Sequence, residues 1–321
     1  HALAQMLCEK GAQVTIGDSP GGIYTKVYLD RIYAVTGMKE IPKTTDAKLN
    51  WDFSVKQADF PQGKVNKEFA YTGWLDQADA IINFCKLKTH GMMGMSCAAK
   101  NMFGAIPGII KPEYHYRFPR YEDFADMIVD LDEYFHPEIS IADAVVGMEG
   151  NGPTKGTPRH IGVLLASASP HTADVICARL IGLSEDAVPT LQAARERGLL
   201  PDAVTLISTV PDKGAEDFAV SDFEHVAVRR GHLFTSKGKL VSKVLEKLLD
   251  SRPQLKASEC VGCAKCAEIC PAKAIAMENR KAIIDRDKCI RCFCCQEFCP
   301  MGAMKVHRTW IARVLVKSKK S

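Results

Sequence analysis

A doubled cysteine run near the C-terminal end constrains this 321-residue chain more than any other feature. Cys260-x2-Cys263-x2-Cys266-x3-Cys270-Pro271 is repeated 29 residues later as Cys289-x2-Cys292-x2-Cys295-x3-Cys299-Pro300. Three thiolates two residues apart can wrap one iron–sulfur cube. In this kind of run the fourth cysteine ligates the other cluster. The spacing therefore predicts two [4Fe-4S] clusters, one held by Cys260, Cys263, Cys266 and Cys299, the other by Cys289, Cys292, Cys295 and Cys270. A zinc site has no use for a third evenly spaced cysteine or for the repeat. A disulfide framework fits poorly with an odd total of 13 cysteines, nine of them between Cys260 and Cys299. Cys294 is left over as a spare thiol of the kind that tunes a cluster by hydrogen bonding. Cys8 and Cys177 fall on helical patterns as small hydrophobes, and packing is also the expected role of Cys85 and Cys97.

The chemistry of such a pair is one-electron transfer, with two sites in one small module forming a relay. From Leu255 onward there are 14 Lys and Arg against 6 Asp and Glu, whereas the rest of the chain has 28 against 32. The overall net charge of +4 thus hides a basic C-terminal part on an acidic body, suited to a redox partner with an acidic docking surface. Residues 274–277 and 283–285 pattern as a short strand pair, and the module resembles the bacterial two-cluster ferredoxins over about 50 residues. No helix-turn-helix, finger or RNA-binding signature supports a nucleic-acid partner. No apolar run approaches the roughly 20 residues of a membrane-spanning helix.

At 46% hydrophobic and 25% charged, the chain has ordinary globular composition, and its length suits two folded units. The first 250 residues alternate short apolar runs with helical patterns, the signature of βα units and a largely parallel sheet. Strands are expected at 13–16, 80–84, 139–142, 161–166 and 204–208, and helices at 24–35, 121–135, 172–181 and 188–197. Stretches 36–67 and 104–120 lack a period and read as long loops near a site. A helical pattern at 240–250 stops at Arg252-Pro253. The expected organisation is an α/β domain over 1–252, a small α+β two-cluster ferredoxin-like domain over 253–307, and a basic tail over 308–321. The chain opens on His1 with 1–10 already helical in pattern, which reads as an N-terminally truncated start.

Three segments at strand ends carry candidate chemistry, since ligands bind open α/β sheets at the carboxyl ends of strands. Gly17-Asp18-Ser19-Pro20-Gly21-Gly22 frees backbone amides ahead of a helix, without being a Walker or GxGxxG loop. Lys86-Leu87-Lys88-Thr89-His90-Gly91 runs on to Ala99-Lys100-Asn101-Met102-Phe103-Gly104, a cationic wall fit to clamp a carboxylate or phosphate, with His90 as proton donor. Asp143 to Pro158 places Asp143, Glu149 and Asn151 in a segment with four glycines. With Asp18 those carboxylates are candidates for an additional metal ion or for acid/base work. Asp174 reads as a helix-start residue.

Together with Asp143-x5-Glu149-Gly150-Asn151-Gly152-Pro153, these motifs resemble the DUF362 family, whose members often carry a C-terminal pair of [4Fe-4S] clusters. The resemblance covers roughly residues 3–183 plus the cysteine module, and implies architecture more than chemistry. The expectation is a cytoplasmic iron–sulfur electron-transfer protein passing electrons to or from an anion-binding site on the α/β domain or a redox partner. Its catalytic candidates are His90, Lys88, Lys100 and Glu149. Asp18, Ser19, Lys86, Asn101, Asp143 and Asn151 are the candidates for binding an anionic small-molecule substrate. An iron–sulfur oxidoreductase is one form of this expectation; a non-catalytic electron-transfer subunit or a cofactor-maturation protein is the other.

Overall fold

The computed structural model describes residues 1–226 and 252–307. The helical pattern at 240–250 and the tail at 308–321 lie outside the described residues. The chain enters through α1 (Ala2–Glu9), then β1 (Thr15–Ile16), α2 (Lys26–Val35), α3 (Ile41–Thr44) and β2 (Lys48–Leu49), with β1 parallel to β2. An antiparallel pair, β3 (Val55–Asp59) and β4 (Glu68–Thr72), follows. Stretch 36–67 therefore carries structure of its own rather than forming one long loop.

The central sheet takes the order β6-β5-β7-β8 from β5 (Ile82–His90), β6 (Gly94–Ser96), β7 (Ile139–Glu149) and β8 (Thr157–Ser167). The α/β class holds, with a mixed sheet: β5 and β7 are parallel, whereas β6 and β8 pair antiparallel at the edges. Short apolar runs do not reveal strand direction, and β8 returns directly from β7 instead of crossing over through a helix. The run at 204–208 forms no strand. Along β5 the residues Asn83, Cys85, Leu87 and Thr89 are buried while Phe84 and Lys86 are exposed, the two-residue alternation of a sheet with one packed face.

That packed face is covered by α4 (Ala98–Asn101), α7 (Pro170–Leu180) and α8 (Pro189–Glu196), and its core includes Leu87, Ala142, Ala144, Val175 and Leu191. A second core gathers on α6 (Tyr121–Phe135), whose Phe124, Met127, Ile128 and Leu131 pack with Phe69 and Tyr71 of β4. Burying each such side chain stabilises by roughly 1.5–3 kcal/mol. Within this layer Asp130 accepts from the Lys64, Val65 and Asn66 amides and from Arg197 at 2.7–2.9 Å, whereas Asp132 on the same helix is buried with neither carboxylate oxygen hydrogen-bonded. Stretch 104–120 forms α5 (Lys111–Arg117).

The cysteine module contains β9 (Arg252–Leu255), α9 (Lys265–Glu268), β10 (Ile275–Glu278), β11 (Lys281–Ile284), α10 (Cys294–Glu297) and β12 (Met304–His307). β10 pairs antiparallel with β11, and β9 with β12. Adding 29 converts β9 into β11, β10 into β12 and α9 into α10, so the sequence repeat is also a repeat of structure. The backbone agrees. Gly262 and Arg291, Ala264 and Phe293, and Lys273 and Gly302 are left-handed pairs at that same offset.

Candidate functional site

Two cavities in the module sort the cysteines. One is lined by Cys260, Cys263, Cys266 and Cys299, with Leu255, Met277 and Met304 among the apolar walls. The other is lined by Cys270, Cys289, Cys292 and Cys295, with Ile275 and Phe293. Left-handed residues beside right-handed ones turn successive N–H groups inward, a backbone arrangement that favours anionic groups such as iron–sulfur clusters. The Ala274 amide donates to Cys270 Sγ and the Ala303 amide to Cys299 Sγ, both at 3.2 Å. Burial pushes the Cys266, Cys289 and Cys295 thiols up, so these sulfurs ionise only against compensating positive charge, which iron would supply. Among the described residues no three His, Cys, Asp or Glu side chains converge on a point fit for a single ion. A cube asks something different, because its four cysteines sit at separate corners rather than around one centre. The residues present fit that group.

The second half of this module, from Cys289 to Cys299, is seated on the α/β domain, and it meets all three of the segments singled out at strand ends. Phe298 packs on the first: a Cβ at Gly21 would stand 2.7 Å from its ring. Gln296, fully buried, donates from Nε2 to Asn151 Oδ1 at 2.9 Å in the third. Thr154 donates to the Glu297 carbonyl at 3.4 Å and Lys155 to that of Pro300 at 3.2 Å. At the end of β5, His90 Nε2 faces Glu297 Oε1 at 3.4 Å.

His90 has a defined tautomer. Its Nδ1 accepts from the Met92 and Met93 amides at 3.1 and 3.2 Å, so the ring proton sits on Nε2, which lies 3.4 Å from Glu297 Oε1 without hydrogen-bonding to it. Burial, then Lys100, His115 and Lys88, holds the imidazole well below its ordinary range, hence neutral. Burial also raises the Glu297 carboxyl. Lys100, from α4, and Lys111, from α5, lie 5.2 and 5.4 Å from the Phe103 ring centre, and burial pushes each ammonium down to about 8. Lys111 Nζ donates to the Ser19 carbonyl, and Ser19 Oγ accepts from the Gly108 amide at 2.7 Å. Gly108 must be glycine: a Cβ there would fall 2.0 Å from the Pro20 carbonyl oxygen. The field of Asp18 reaches Lys111, and His115, one turn along α5, is pushed down to about 3 by burial and the neighbouring lysines. Lys88, Lys100, Lys111, His90, His115, Asp18 and Glu297 thus form one electrostatically connected group. Cations with few counter-charges and a neutral N–H donor make it suited to an anion.

Asp174, in the second turn of α7, fixes Lys100. Its carboxylate accepts from the Ala98 and Ala99 amides at 2.7 and 3.3 Å, pinning the first turn of α4. The cap of α7 is Ser169, not Asp174, which burial raises to about 7. Cys85, Cys97 and Cys177 are free, buried thiols packed in a row at 3.6 Å, as a packing role requires.

Four expected site residues lie elsewhere. Lys86 and Asp143 pair with each other at 2.7 Å on the open face of the sheet. Glu149 accepts from the Glu224 amide at 3.0 Å and faces Arg159 at 3.7 Å, bracing the end of β7. Asn101 donates to Asn83 Oδ1 and the Phe84 carbonyl beneath the sheet. Asp18, Asp143 and Glu149 therefore do not assemble a metal site. Conversely, Lys111, His115 and Glu297 belong to the group and were missed, as was Gln296, which holds Asn151 across the junction. The i, i+4 spacing of Lys111 and His115 behind Pro112 was the available signal for two of them.

Fold and site together define an α/β domain joined to an iron–sulfur, ferredoxin-like module. The family DUF362, described as a domain of unknown function, matches residues 1–179, and a 4Fe-4S dicluster domain matches residues 252–300. The chain belongs to the DUF362 family. It is 30% identical over 212 residues to the "Thylakoid-associated protein sll1697" of Synechocystis sp., covering 64% of this chain and 62% of that protein. Among the described residues no helix is long and apolar enough to cross a membrane.

Proposed function

We propose that this chain is a cytoplasmic oxidoreductase that relays single electrons between a redox partner with an acidic docking surface and an anionic small molecule. Cys260, Cys263, Cys266 and Cys299 would hold one [4Fe-4S] cluster, and Cys289, Cys292, Cys295 and Cys270 the second. When bound, these clusters supply one-electron steps. Lys88, Lys100 and Lys111 hold the anion, and Asp18 with the Ser19 carbonyl keeps Lys111 in place. The His90 Nε2–H is the proton donor nearest that space, oriented by the two backbone amides on Nδ1. Docking of Phe298 and Gln296 excludes water from the side facing the module.

The observation that carries this reading is the seating of α10 against His90. It brings Phe293 and Cys294, which line one of the two cysteine-lined cavities, beside Gly91 and within the field of Lys100. The test is anaerobic reconstitution, chemical reduction, and a panel of carboxylates and phosphates scored for reoxidation of the iron–sulfur absorbance. At least one anion is expected to reoxidise the protein, with Lys100→Ala and His90→Ala each about tenfold or more slower. If no anion acts and the variants match wild type, the chain is a non-catalytic electron-transfer subunit or maturation protein instead.

A further inference from the structure

Position by position, the half-module from Cys260 to Cys270 is, among the described residues, the uncovered copy of the half-module that docks. Phe293, Cys294 and Gln296, all buried against the α/β domain, correspond to Ala264, Lys265 and Ala267, of which Lys265 is exposed and the other two half-buried. Cys263 is exposed where its counterpart Cys292 is buried. Beside it Val261 and Met301 are 50% and 52% exposed, and all three line the same cavity.

We infer that this uncovered face, centred on Val261, Cys263 and Met301, is the docking surface for an acidic one-electron carrier protein; the inference rests on the relay proposed above. Charge selects the occupant. Lys256 and Lys305 share the single carboxylate of Glu259, at 2.6 and 2.8 Å. Lys281 donates to the carbonyls of Ala257 and Cys260 at 2.9 and 2.6 Å, and the Arg280 backbone packs against Gly262. With Lys265 on α9 there are five cations around the opening, against the three carboxylates of Glu259, Glu268 and Glu278. An apolar centre inside a basic rim is the form of a transient interface in which charge steers the encounter and a small contact area permits release. A second copy of this chain would present the same cations and be repelled. The exposed sulfur marks where the distance between partners is shortest.

The test uses the reconstituted full-length protein and reduced flavodoxin, an acidic carrier, as the probe. Stopped-flow reduction is compared for wild type, the double variant Lys256→Glu/Lys265→Glu, and a control, Lys39→Glu/Lys43→Glu, on the α/β domain. The surface variant is expected to react about tenfold more slowly at low ionic strength and to converge on wild type in high salt. Its reduction by methyl viologen radical, a small cation, should not slow. Binding of oxidised flavodoxin, read by calorimetry, should weaken in parallel. Equal slowing in the control, or no slowing in the surface variant, overturns the docking surface while leaving the relay standing. A reconstituted wild type without two reducible clusters by electron paramagnetic resonance overturns both.

Discussion

Ala264 and Phe293 occupy the same place in two copies of one cysteine motif, each with a left-handed backbone just before a one-turn helix. Around Ala264 the half-module faces water, and around Phe293 it is buried against the α/β domain. The cysteine spacing, the N–H···S bonds and the strand pairs are shared, so the metal-binding design does not decide between these fates. The residues between the cysteines do. Phe293, Cys294 and Gln296 offer an aromatic ring, a small apolar thiol and one amide that finds Asn151, whereas Ala264, Lys265 and Ala267 offer little area and a charge. The repeat thus yields one end that faces solvent and one end packed against a cationic group.

The largest way to break this comparison is to remove a ligand from either half. Cys263→Ser and Cys292→Ser should each lose about half the iron of the reconstituted protein, read by metal analysis, because each takes out one cluster. Only Cys292→Ser should also expose the α/β interface to proteolysis. Equal protection in both would mean that the second half docks without its cluster.

Smaller, but still large, is the packing difference. Phe293 is 2% exposed, and Phe293→Ala should destabilise the protein by about 3 kcal/mol, the cost of a deep aromatic truncation. Placing the ring in the other copy, Ala264→Phe, should change stability by less than about 0.5 kcal/mol. Chemical denaturation of the holoprotein measures both. Similar losses at the two positions would erase the asymmetry.

A third difference lies in charge. Burial holds Lys100 and Lys111 down to about 8, so a bound anion should draw protons onto them. Sulfate, which does not titrate in this range, should bind about tenfold more weakly at pH 9 than at pH 7 and take up protons on binding near pH 8. The folded values lie below those of the unfolded chain, so the folded state binds fewer protons from about pH 8 to the ordinary lysine range near 10.4, and stability rises with pH across that window. Lys100→Met should flatten both dependences, whereas Lys265→Met in the exposed half should alter neither. Calorimetry in buffers of different ionisation heat, with melts at matched pH, checks each.

How much of this could be read from residue order depends on how local the cause is. The cysteine pattern is local: the x2-x2-x3 spacing sorts the cysteines into two sets before any fold is known, and the two cavities divide them the same way. Helices came through because apolar residues on α6 recur at three and four, and its expected limits, 121–135, match those observed. The three strand-end segments were legible for the same reason, as polar residues following apolar runs. What failed depended on long-range register. Lys86 and Lys88 look alike in sequence, but an irregularity in the pairing of β5 with β7 sets Lys86 opposite Asp143 and Lys88 opposite Met148. Lys86 is therefore neutralised by a neighbour, while the half-buried Lys88 joins the lysine and histidine group. Glu297 was hidden inside a motif already explained by its cysteines, and its counterpart Glu268 lies in solvent. Only the docking of one half, a tertiary event, separates the two.

In the proposed relay the second cluster, and not the first, works beside the lysine and histidine group. Potentiometric titration followed by electron paramagnetic resonance, comparing wild type with Lys100→Met, tests it most directly, with Cys263→Ser and Cys292→Ser assigning each signal. Removing a nearby cation disfavours the more negative reduced state. The signal lost in Cys292→Ser is expected to move to lower potential while the signal lost in Cys263→Ser stays in place. A shift confined to the Cys263→Ser signal, an equal shift in both, or none would contradict it.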